Sequence, residues 1–412
     1  MVVYLITQAA LSWCLYFSLT LFLGGGDDVV FGEPTVESPD FQLDKIVDGL
    51  SRPTGLTFLG PGDFIVIEED TGMVKRITNG EISQTLLDLD VSTDDSRGLI
   101  GIDSFHNGSK TFVFLYFTES SSHDDEGEPL GNRLYRYELA DDKSGLINPK
   151  LLLDLPAGPG SMDNGGPVLV GPDNYVYFIV GQVQDDSDRG HETKAQNFEN
   201  GPDADGTSGV HRITQDGKMV SSRVLDSTGK MDTYFAYGIR NSFGMDFDPI
   251  TGKLWLSENG VYTNDEINLI ESGFNGGWKD ITGLAPSGFN KSGLVSFSGT
   301  GKYSDPKFVW NQTVAPTALL FLNSDRFGPA YKNDMFVGDY QFGRIYHFEL
   351  NSERNGLQLN GSLADRVANS DPELQETIFA EGFGVPTDLE IGPDGMLYIS
   401  SLRDGAVYRI SR

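Results

Sequence analysis

Pro53-Thr54-Gly55-Leu56-Thr57-Phe58 is a short segment that returns twice further along the chain. It recurs as Pro316-Thr317-Ala318-Leu319-Leu320-Phe321 and again as Pro386-Thr387-Asp388-Leu389-Glu390-Ile391. Three looser copies complete the series: RGLIGI from Arg97, GGPVLV from Gly165 and SFGMDF from Ser242. Six copies of one motif indicate six copies of one supersecondary unit, which bury their apolar faces against one another.

Each copy is followed by a turn and by two further runs rich in aromatic and β-branched residues, which is typical of β-strands. Turns such as Gly171-Pro172-Asp173-Asn174 and Gly392-Pro393-Asp394-Gly395 suit tight antiparallel hairpins. A fourth strand is predicted after most copies, for instance at Gln84–Leu89 and Lys150–Leu155. Each repeat therefore predicts one antiparallel blade of about four strands.

The last repeat ends at Ile410 with only three strands, and Phe41–Leu50 lies before the first repeat without a sheet of its own. Adding this segment to the last blade closes the ring and leaves no open sheet edge. We therefore predict an all-β fold, a six-bladed β-propeller in which an N-terminal strand closes the last blade. Two separate β domains are the alternative, because the length of the chain suits either arrangement.

The charge of the chain excludes one class of function. Its 412 residues carry 30 basic and 60 acidic side chains, which gives a formal net charge of −30. Such a chain has no basic surface for a nucleic-acid backbone, and an anionic membrane surface repels it. The single cysteine, Cys14, excludes an intramolecular disulfide and a cysteine-based zinc site.

The N-terminus is almost continuously apolar from Met1 to Leu23, which is long enough for a helix to cross a bilayer. No Lys or Arg precedes Lys45, so the basic region typical of a signal peptide is missing. We predict a signal peptide or membrane anchor over residues 1–26, a linker over 27–40 and the propeller over 41–412. A buried core helix is the alternative. An export segment predicts an extracytoplasmic protein, either secreted or tethered to a membrane through its N-terminus only.

Local motifs for catalysis are few. The five histidines are not at metal-ligand spacing, and the sequence contains no nucleophile elbow, P-loop or dinucleotide-binding glycine pattern. The loop from Glu258 to Glu266 combines side-chain and backbone oxygens, as calcium requires, and Asn200–Gly206 is a second candidate. The run Asp124-Asp125-Glu126 is interpreted as a solvated acidic loop.

Four longer motifs occur in one half of the chain: Tyr237–Pro249, Leu254–Gly260, Asp265–Ile270 and Gly273–Trp278. Together they resemble the soluble glucose/sorbosone dehydrogenases that depend on pyrroloquinoline quinone (PQQ), and the resemblance extends from about Phe41 to Arg412. It implies a six-bladed propeller that binds PQQ and calcium. The implied reaction is oxidation of a sugar or alcohol hydroxyl by hydride transfer to the quinone.

The resemblance also implies roles for single residues around the cofactor. Arg240 and Asn241 match the cofactor-binding arginine and asparagine of the family. Asp163 stands where the family has its histidine general base, and a carboxylate is an ordinarily weaker base than an imidazole. Gln341 stands where the family has a cofactor-binding lysine.

The implied metal ligands come from one loop. Gly260 and Val261 fall where the family uses backbone carbonyls for the calcium of the cofactor. Asp265 and Glu266 match the acidic segment of its structural calcium site. Carboxylate and carbonyl oxygens are the ligands that calcium prefers.

Further departures from the family concern charge. Val385 and Thr387 occupy the positions of a pair of arginines, and Gln182 replaces an aspartate. PQQ is a tricarboxylate, and each charge-assisted hydrogen bond is worth about 1.5–3 kcal/mol, so the lost cations weaken its binding. Two functions follow from the sequence. One is an exported dehydrogenase-like enzyme for a sugar or alcohol, and the other is a catalytically degenerate propeller that binds a glycan or a protein.

Overall fold

The computed structural model describes residues 31–122, 127–184, 191–220 and 232–412. Within these ranges the strands form six sheets, and the innermost strands of the sheets contact one another in a closed cycle. The predicted all-β propeller is thereby confirmed, and the ring is a single body rather than two β domains. The predicted signal peptide or anchor and the run Asp124-Asp125-Glu126 lie outside the described residues.

Each sheet is one blade and corresponds to one sequence repeat. Blade 1 contains Pro53–Gly60, Asp63–Glu68, Met73–Thr78 and Glu81–Asp88. Blade 2 contains Leu99–His106, Thr111–Ser120, Pro129–Leu139 and Leu146–Leu155. Blade 3 contains Val168–Val170, Tyr175–Val180, Gly209–Thr214 and Tyr234–Tyr237. Blade 4 contains Gly244–Phe247, Leu254–Glu258, Asp265–Ile270 and Phe308–Trp310. Blade 5 contains Pro316–Phe321, Met335–Asp339, Ile345–Phe348 and Ile378–Glu381. Blade 6 contains Pro386–Ile391, Leu397–Ser401, Ala406–Ser411 and Gln42–Val47.

The ring closes as the sequence predicts. Gln42–Val47 pairs antiparallel with Ala406–Ser411, with Gln42 opposite Ser411 and Leu43 opposite Ile410. An N-terminal strand therefore supplies the fourth strand of the last blade. The closure leaves neither end of the ring with an unpaired sheet edge.

Short additional strands widen three blades. Blade 5 gains Thr35–Val36, with Thr35 opposite Glu381, so part of the segment predicted as a linker is built into the sheet. The other added strands each pair in parallel with a neighbouring strand of the sheet. They are Phe274–Asn275 and Lys302–Tyr303 in blade 3, and Val367–Ala368 in blade 4. The short helices are Asp371–Leu374 and the 3-10 turns Lys194–Gln196, Lys291–Gly293, Gly361–Asp365 and Gln375–Thr377.

The hydrophobic core lies between neighbouring blades, because both faces of each sheet are buried. In the second strand of blade 1, Ile65 and Ile67 pack toward blade 2, whereas Phe64 and Val66 pack toward blade 6. This alternation follows from the two-residue period of a strand. It explains why the inner strands are apolar at successive positions rather than at every second one.

Three aspartates tie the blades together in pairs around the axis. Asp103, Asp246 and Asp388 lie on the first strands of blades 2, 4 and 6, and each accepts the N–H of its own next residue. The second oxygen of each carboxylate accepts an N–H from the following blade, donated by Val170 (2.6 Å), Phe321 (2.7 Å) and Leu56 (2.7 Å), respectively. We call these residues the clasp aspartates.

A separate observation concerns membranes. Among the residues described by the structure, none of the helices has both the length and the apolar character needed to cross a bilayer.

Candidate functional site

One end of the ring collects most of the residues singled out in the sequence. First strands begin there and second strands end there, because the two strands are antiparallel. We call this end the mouth. Asp163 and Arg240 precede the first strands of blades 3 and 4, and Gly260 follows the second strand of blade 4. Ring closure therefore places positions from distant repeats side by side.

A cavity of about 390 Å³ lies on the axis of the ring and is lined by all six blades. A cavity of this size suits a small organic ligand. Its walls include Arg52, Glu69, Tyr340, Thr387 and Phe243 from the mouth. The clasp aspartates Asp246 and Asp388 and the neighbouring Glu390 line the same cavity.

A buried ion pair joins blades 3 and 4 at the mouth. The Nη2 atom of Arg240 lies 2.9 Å from Oδ2 of Asp163, and both side chains are less than a tenth exposed, at 9% and 8%. Gln182 Nε2 donates to the same Asp163 oxygen at 2.9 Å. The positive φ of Asp163, 59°, shows that its backbone is held in a left-handed conformation, which positions the side chain toward Arg240.

The remaining contacts of Arg240 fix its guanidinium. Nη1 donates to the carbonyl oxygens of Asn259 (3.3 Å) and Gly260 (3.2 Å), and the guanidinium lies 5.8 Å from the centre of the Trp278 ring. The indole N–H of Trp278 donates to Gln182 Oε1 at 2.9 Å. Arg240 and Gln182 thus contact the Asp163 carboxylate directly, and Trp278 contacts both of these residues.

Asn241 connects the same two blades through its amide. Its Oδ1 accepts the N–H of Gly165 at 3.1 Å, and its backbone carbonyl accepts the N–H of Asn259 at 2.8 Å. The side chain is 4% exposed. In this structure it therefore positions the loops that carry Asp163 and Gly260.

The acidic loop contains two different kinds of carboxylate. Asp265 accepts hydrogen bonds from Gly260 N (2.8 Å), Thr313 Oγ1 (2.8 Å), Val314 N (2.7 Å) and Ala315 N (2.8 Å), so both of its oxygens are occupied by donors. Four donors from two segments make it the anchor of the loop.

Glu258 and Glu266 form a second, closely spaced pair on neighbouring strands. Both are buried, and burial raises the pKa of Glu266 to about 7. Burial and the nearby charge of Glu266 also raise the pKa of Glu258 well above its usual range. Asn268 Nδ2 bridges the two carboxylates, at 3.3 Å from Glu258 and 2.8 Å from Glu266, whereas its buried Oδ1 has no hydrogen-bond partner.

The residues at the positions of the family's cations lie at the mouth of blades 5 and 6. The backbone N–H of Gln341 donates to Val314 O at 3.1 Å. Val385 is fully buried with a φ of 104°. Thr387 Oγ1 donates inward to Pro53 O (2.8 Å) and Ser400 O (3.2 Å). None of the three side chains supplies positive charge.

Sequence analysis missed a second carboxylate–arginine pair, formed by Glu69 and Arg52. Both Arg52 Nε and Nη2 contact Glu69 Oε2, at 2.9 and 2.6 Å. Burial raises the pKa of Glu69 to about 7, although the charge of Arg52 opposes this. The signal was available, because Glu69 follows the second strand of repeat 1 as Asn259 follows that of repeat 4.

Comparison with known proteins identifies relatives over nearly the whole length. A family model described as Glucose / Sorbosone dehydrogenase matches residues 50–409. The aldose sugar dehydrogenase YliI of Escherichia coli is 24% identical over 370 residues, which are 87% of this chain and 89% of that protein.

Two solved structures illustrate the similarity of the fold. A Thermus thermophilus oxidoreductase described as a glucose dehydrogenase is 25% identical, with a TM-score of 0.68 over 90% of this chain and 99% of that one. The PQQ-bound aldose sugar dehydrogenase of Streptomyces coelicolor is 21% identical, with a TM-score of 0.63 over 92% of this chain and 99% of that one.

Proposed function

This chain belongs to the glucose/sorbosone dehydrogenase family, and from this membership we propose that it is an extracytoplasmic dehydrogenase-like protein that takes a sugar or another alcohol at the mouth of the propeller. The observation that carries the proposal is the axial cavity of about 390 Å³, flanked at its mouth by carboxylate–arginine pairs. Carboxylate and guanidinium groups are suited to binding hydroxyls by charge-assisted hydrogen bonds. The apolar segment over residues 1–26 supports export.

The proposed role of Asp163 is to accept the proton of the substrate hydroxyl. A positioned carboxylate can act as a general base once a hydroxyl lies within hydrogen-bond reach. Arg240 and Gln182 both contact Asp163 Oδ2, so they orient the carboxylate at the mouth. The proposal is supported by the resemblance noted in the sequence, in which Asp163 stands where the family has its histidine base.

The mouth does not fit PQQ as the family binds it. Arg240 is already paired with Asp163, and Gln341, Val385 and Thr387 are neutral. Val385 is also buried, and the hydroxyl of Thr387 is hydrogen-bonded to Pro53 O and Ser400 O. A tricarboxylate that leaves water needs paired positive charge, so tight binding of PQQ is not expected and we derive no step through it.

The acidic loop fits calcium better than the mouth fits PQQ. Glu258 and Glu266 are buried side by side, and the buried Oδ1 of Asn268 lacks a partner. A divalent cation would neutralise the carboxylates and give that oxygen a partner. Gly260, Val261 and Asp265 remain predicted ligands from the resemblance, although the oxygens of Asp265 already accept four hydrogen bonds. The calcium would stabilise the loop on which Gly260 and Arg240 meet.

The Asp163–Arg240 pair favours a second candidate, a propeller that binds a glycan or a protein without turnover. Arg240 would hold the cofactor and Asp163 would act as the base, but in this pair their charges neutralise each other. A buried pair of this kind is costly to separate. The binding function needs the mouth and the calcium loop but no cofactor.

A dye-reduction assay separates the two candidates. The purified full chain is assayed with calcium over a panel of sugars and alcohols, with and without PQQ, and Asp163→Asn is the matched variant. Hydride removed from the substrate needs an acceptor, so the dehydrogenase proposal expects dye reduction only where PQQ is supplied well above micromolar concentration, and Asp163→Asn should abolish it. At micromolar concentration PQQ should give no saturable binding. Binding of a sugar without dye reduction supports the second candidate. Stoichiometric PQQ binding would overturn our assessment of the mouth.

A further inference from the structure

Only one of the two Glu69 carboxylate oxygens has a hydrogen-bond partner among the described residues. Both contacts from Arg52 go to Oε2, and among the described residues no hydrogen bond reaches Oε1. The Glu69 side chain is 11% exposed, and the residue lines the axial cavity. An acceptor at the wall of a cavity that has no donor from the protein is available to a ligand that donates a hydrogen bond from the cavity.

The walls of the cavity carry more acidic than basic side chains. Arg52 is the only basic side chain among the described residues that line it, and its charge is shared with Glu69 and Asp70. The lining carboxylates are Glu69, Asp95, Asp246, Asp388 and Glu390. A cavity of this composition repels sugar acids and sugar phosphates, and it attracts cations.

The deep carboxylates have no cationic partner in the described part of the chain. Asp246 and Asp388 accept only backbone N–H groups, and Glu390 accepts the N–H of Ile391. Burial raises the pKa of Asp246 and of Asp388 to about 7, and the charges of neighbouring carboxylates raise the pKa of Asp246 further. A bound cation would offset both causes.

The ligand that meets these requirements carries both hydroxyls and positive charge. A metal ion alone is a poorer match, because each carboxylate oxygen of Asp246 and Asp388 already accepts a backbone N–H. An ammonium group tolerates longer and less regular contacts, since it donates three separate hydrogen bonds. The remaining volume of the cavity leaves room for a sugar ring.

We propose that the axial cavity binds an amino sugar, with its ammonium group among Asp246, Asp388 and Glu390 and its hydroxyls on Glu69 and Arg52. This inference rests on the proposed function, since it names the class of sugar that the mouth takes. Arg52 has the positioning role, because it holds one oxygen of Glu69 and turns the other toward the ligand. Nothing in the family resemblance assigns a role to Glu69 or Glu390.

The test is calorimetric titration of the full chain with D-glucosamine, D-glucose and D-gluconate at pH 7 and low salt. A single charge-assisted contact predicts that glucosamine binds at least about tenfold more tightly than glucose, and that gluconate binds most weakly. The variants Glu69→Gln and Glu390→Gln should each weaken glucosamine about tenfold or more. Neither interrupts a clasp between blades. Glu81→Gln, which changes an exposed carboxylate far from the cavity, is the matched control and should not alter binding.

Each outcome decides the inference. Equal binding of glucosamine and glucose overturns it and leaves the proposed function standing. Failure of every sugar to bind, with the protein shown to be folded by its melting transition, overturns both. Tight glucosamine binding that survives Glu69→Gln and Glu390→Gln places the ligand elsewhere and also overturns the inference. Loss of the preference in these two variants, with Glu81→Gln unchanged, supports it.

Discussion

The mouth contains two carboxylate–arginine pairs in contrasting surroundings. Asp163 and Arg240 come from different blades, are both nearly buried, and share their contacts with Gln182, Trp278 and two backbone carbonyls. Glu69 and Arg52 belong to one blade; Arg52 is 42% exposed, and Glu69 keeps an oxygen free of donors.

The difference separates a structural pair from one that is available to a ligand. A buried pair with many partners cannot release either charge without loss of stability. A pair at the wall of a cavity, with one half in water, can exchange its contacts for those of a ligand at low cost. The family's cofactor arginine is in the first class here, which is why the mouth does not fit PQQ.

The comparison is tested most severely by removing each arginine. Arg240→Gln leaves Asp163 buried without its charge partner, and we expect it to lower the free energy of unfolding by about 3–5 kcal/mol. Arg52→Gln should lower it by no more than about 1 kcal/mol, because this pair is half exposed. Urea unfolding measures both. Equal losses would show that the two pairs do not differ as proposed, and Asp163→Asn combined with Arg240→Gln should recover part of the loss.

Calcium removal tests whether the buried side of the mouth depends on the metal. A ligand at 100 times its dissociation constant stabilises the folded state by about 2.7 kcal/mol, so chelation should lower the melting temperature by several degrees. Glu266→Gln should remove this response, whereas Glu69→Gln should retain it. A melting temperature that does not change after verified metal removal would contradict the calcium proposal.

The pH dependence of stability tests the cavity side. Burial raises the pKa of Glu69, Asp246 and Asp388 to about 7, so the folded state binds protons that the unfolded state releases. Their stabilising contribution is complete only below the unfolded pKa of about 4, and it is lost as the pH rises from there through the folded pKa of about 7. The melting temperature should therefore fall between about pH 4.5 and 7.5 and change little above that range, in thermal scans without added ligand.

His191 acts in the same direction and has to be separated. Burial lowers its pKa, but its hydrogen bond and charge interaction with Asp205 raise it overall. The double variant Glu69→Gln and Glu390→Gln should reduce the slope, and His191→Gln should remove a different part of it. A slope unaffected by the double variant would mean that the cavity carboxylates do not titrate in this range.

The smallest expected effect concerns the indole ring of Trp278, which faces the guanidinium of Arg240. Trp278→Phe keeps an aromatic face against the guanidinium but removes the hydrogen bond from the indole to Gln182 Oε1. We expect a loss of about 1 kcal/mol in unfolding free energy. The orientation of Asp163 should change more than stability does, so dye reduction, if present, should fall by a larger factor than the unfolding equilibrium constant changes.

The sequence predicted much of the fold because the fold is periodic. The recurrence of Pro53–Phe58 identified six blades, and the missing strand of the last repeat led directly to the pairing of Gln42–Val47 with Ala406–Ser411. The strand Thr35–Val36 was not predicted, because a two-residue edge strand has no pattern of its own. Its position depends on the free edge of blade 5.

The sequence by itself determined the repeat, the ring, the family and the set of residues near the mouth, since each depends on local pattern or spacing. Only the tertiary structure decided which charges meet. Asp163 pairs with Arg240 because the packing of neighbouring blades brings the ends of blades 3 and 4 to within 2.9 Å. Glu69 pairs with Arg52 because the first two strands of blade 1 meet at the mouth. No local pattern encodes either distance. Burial then decides what each pair can do, because water screens the charge of Arg52 and is excluded from that of Arg240.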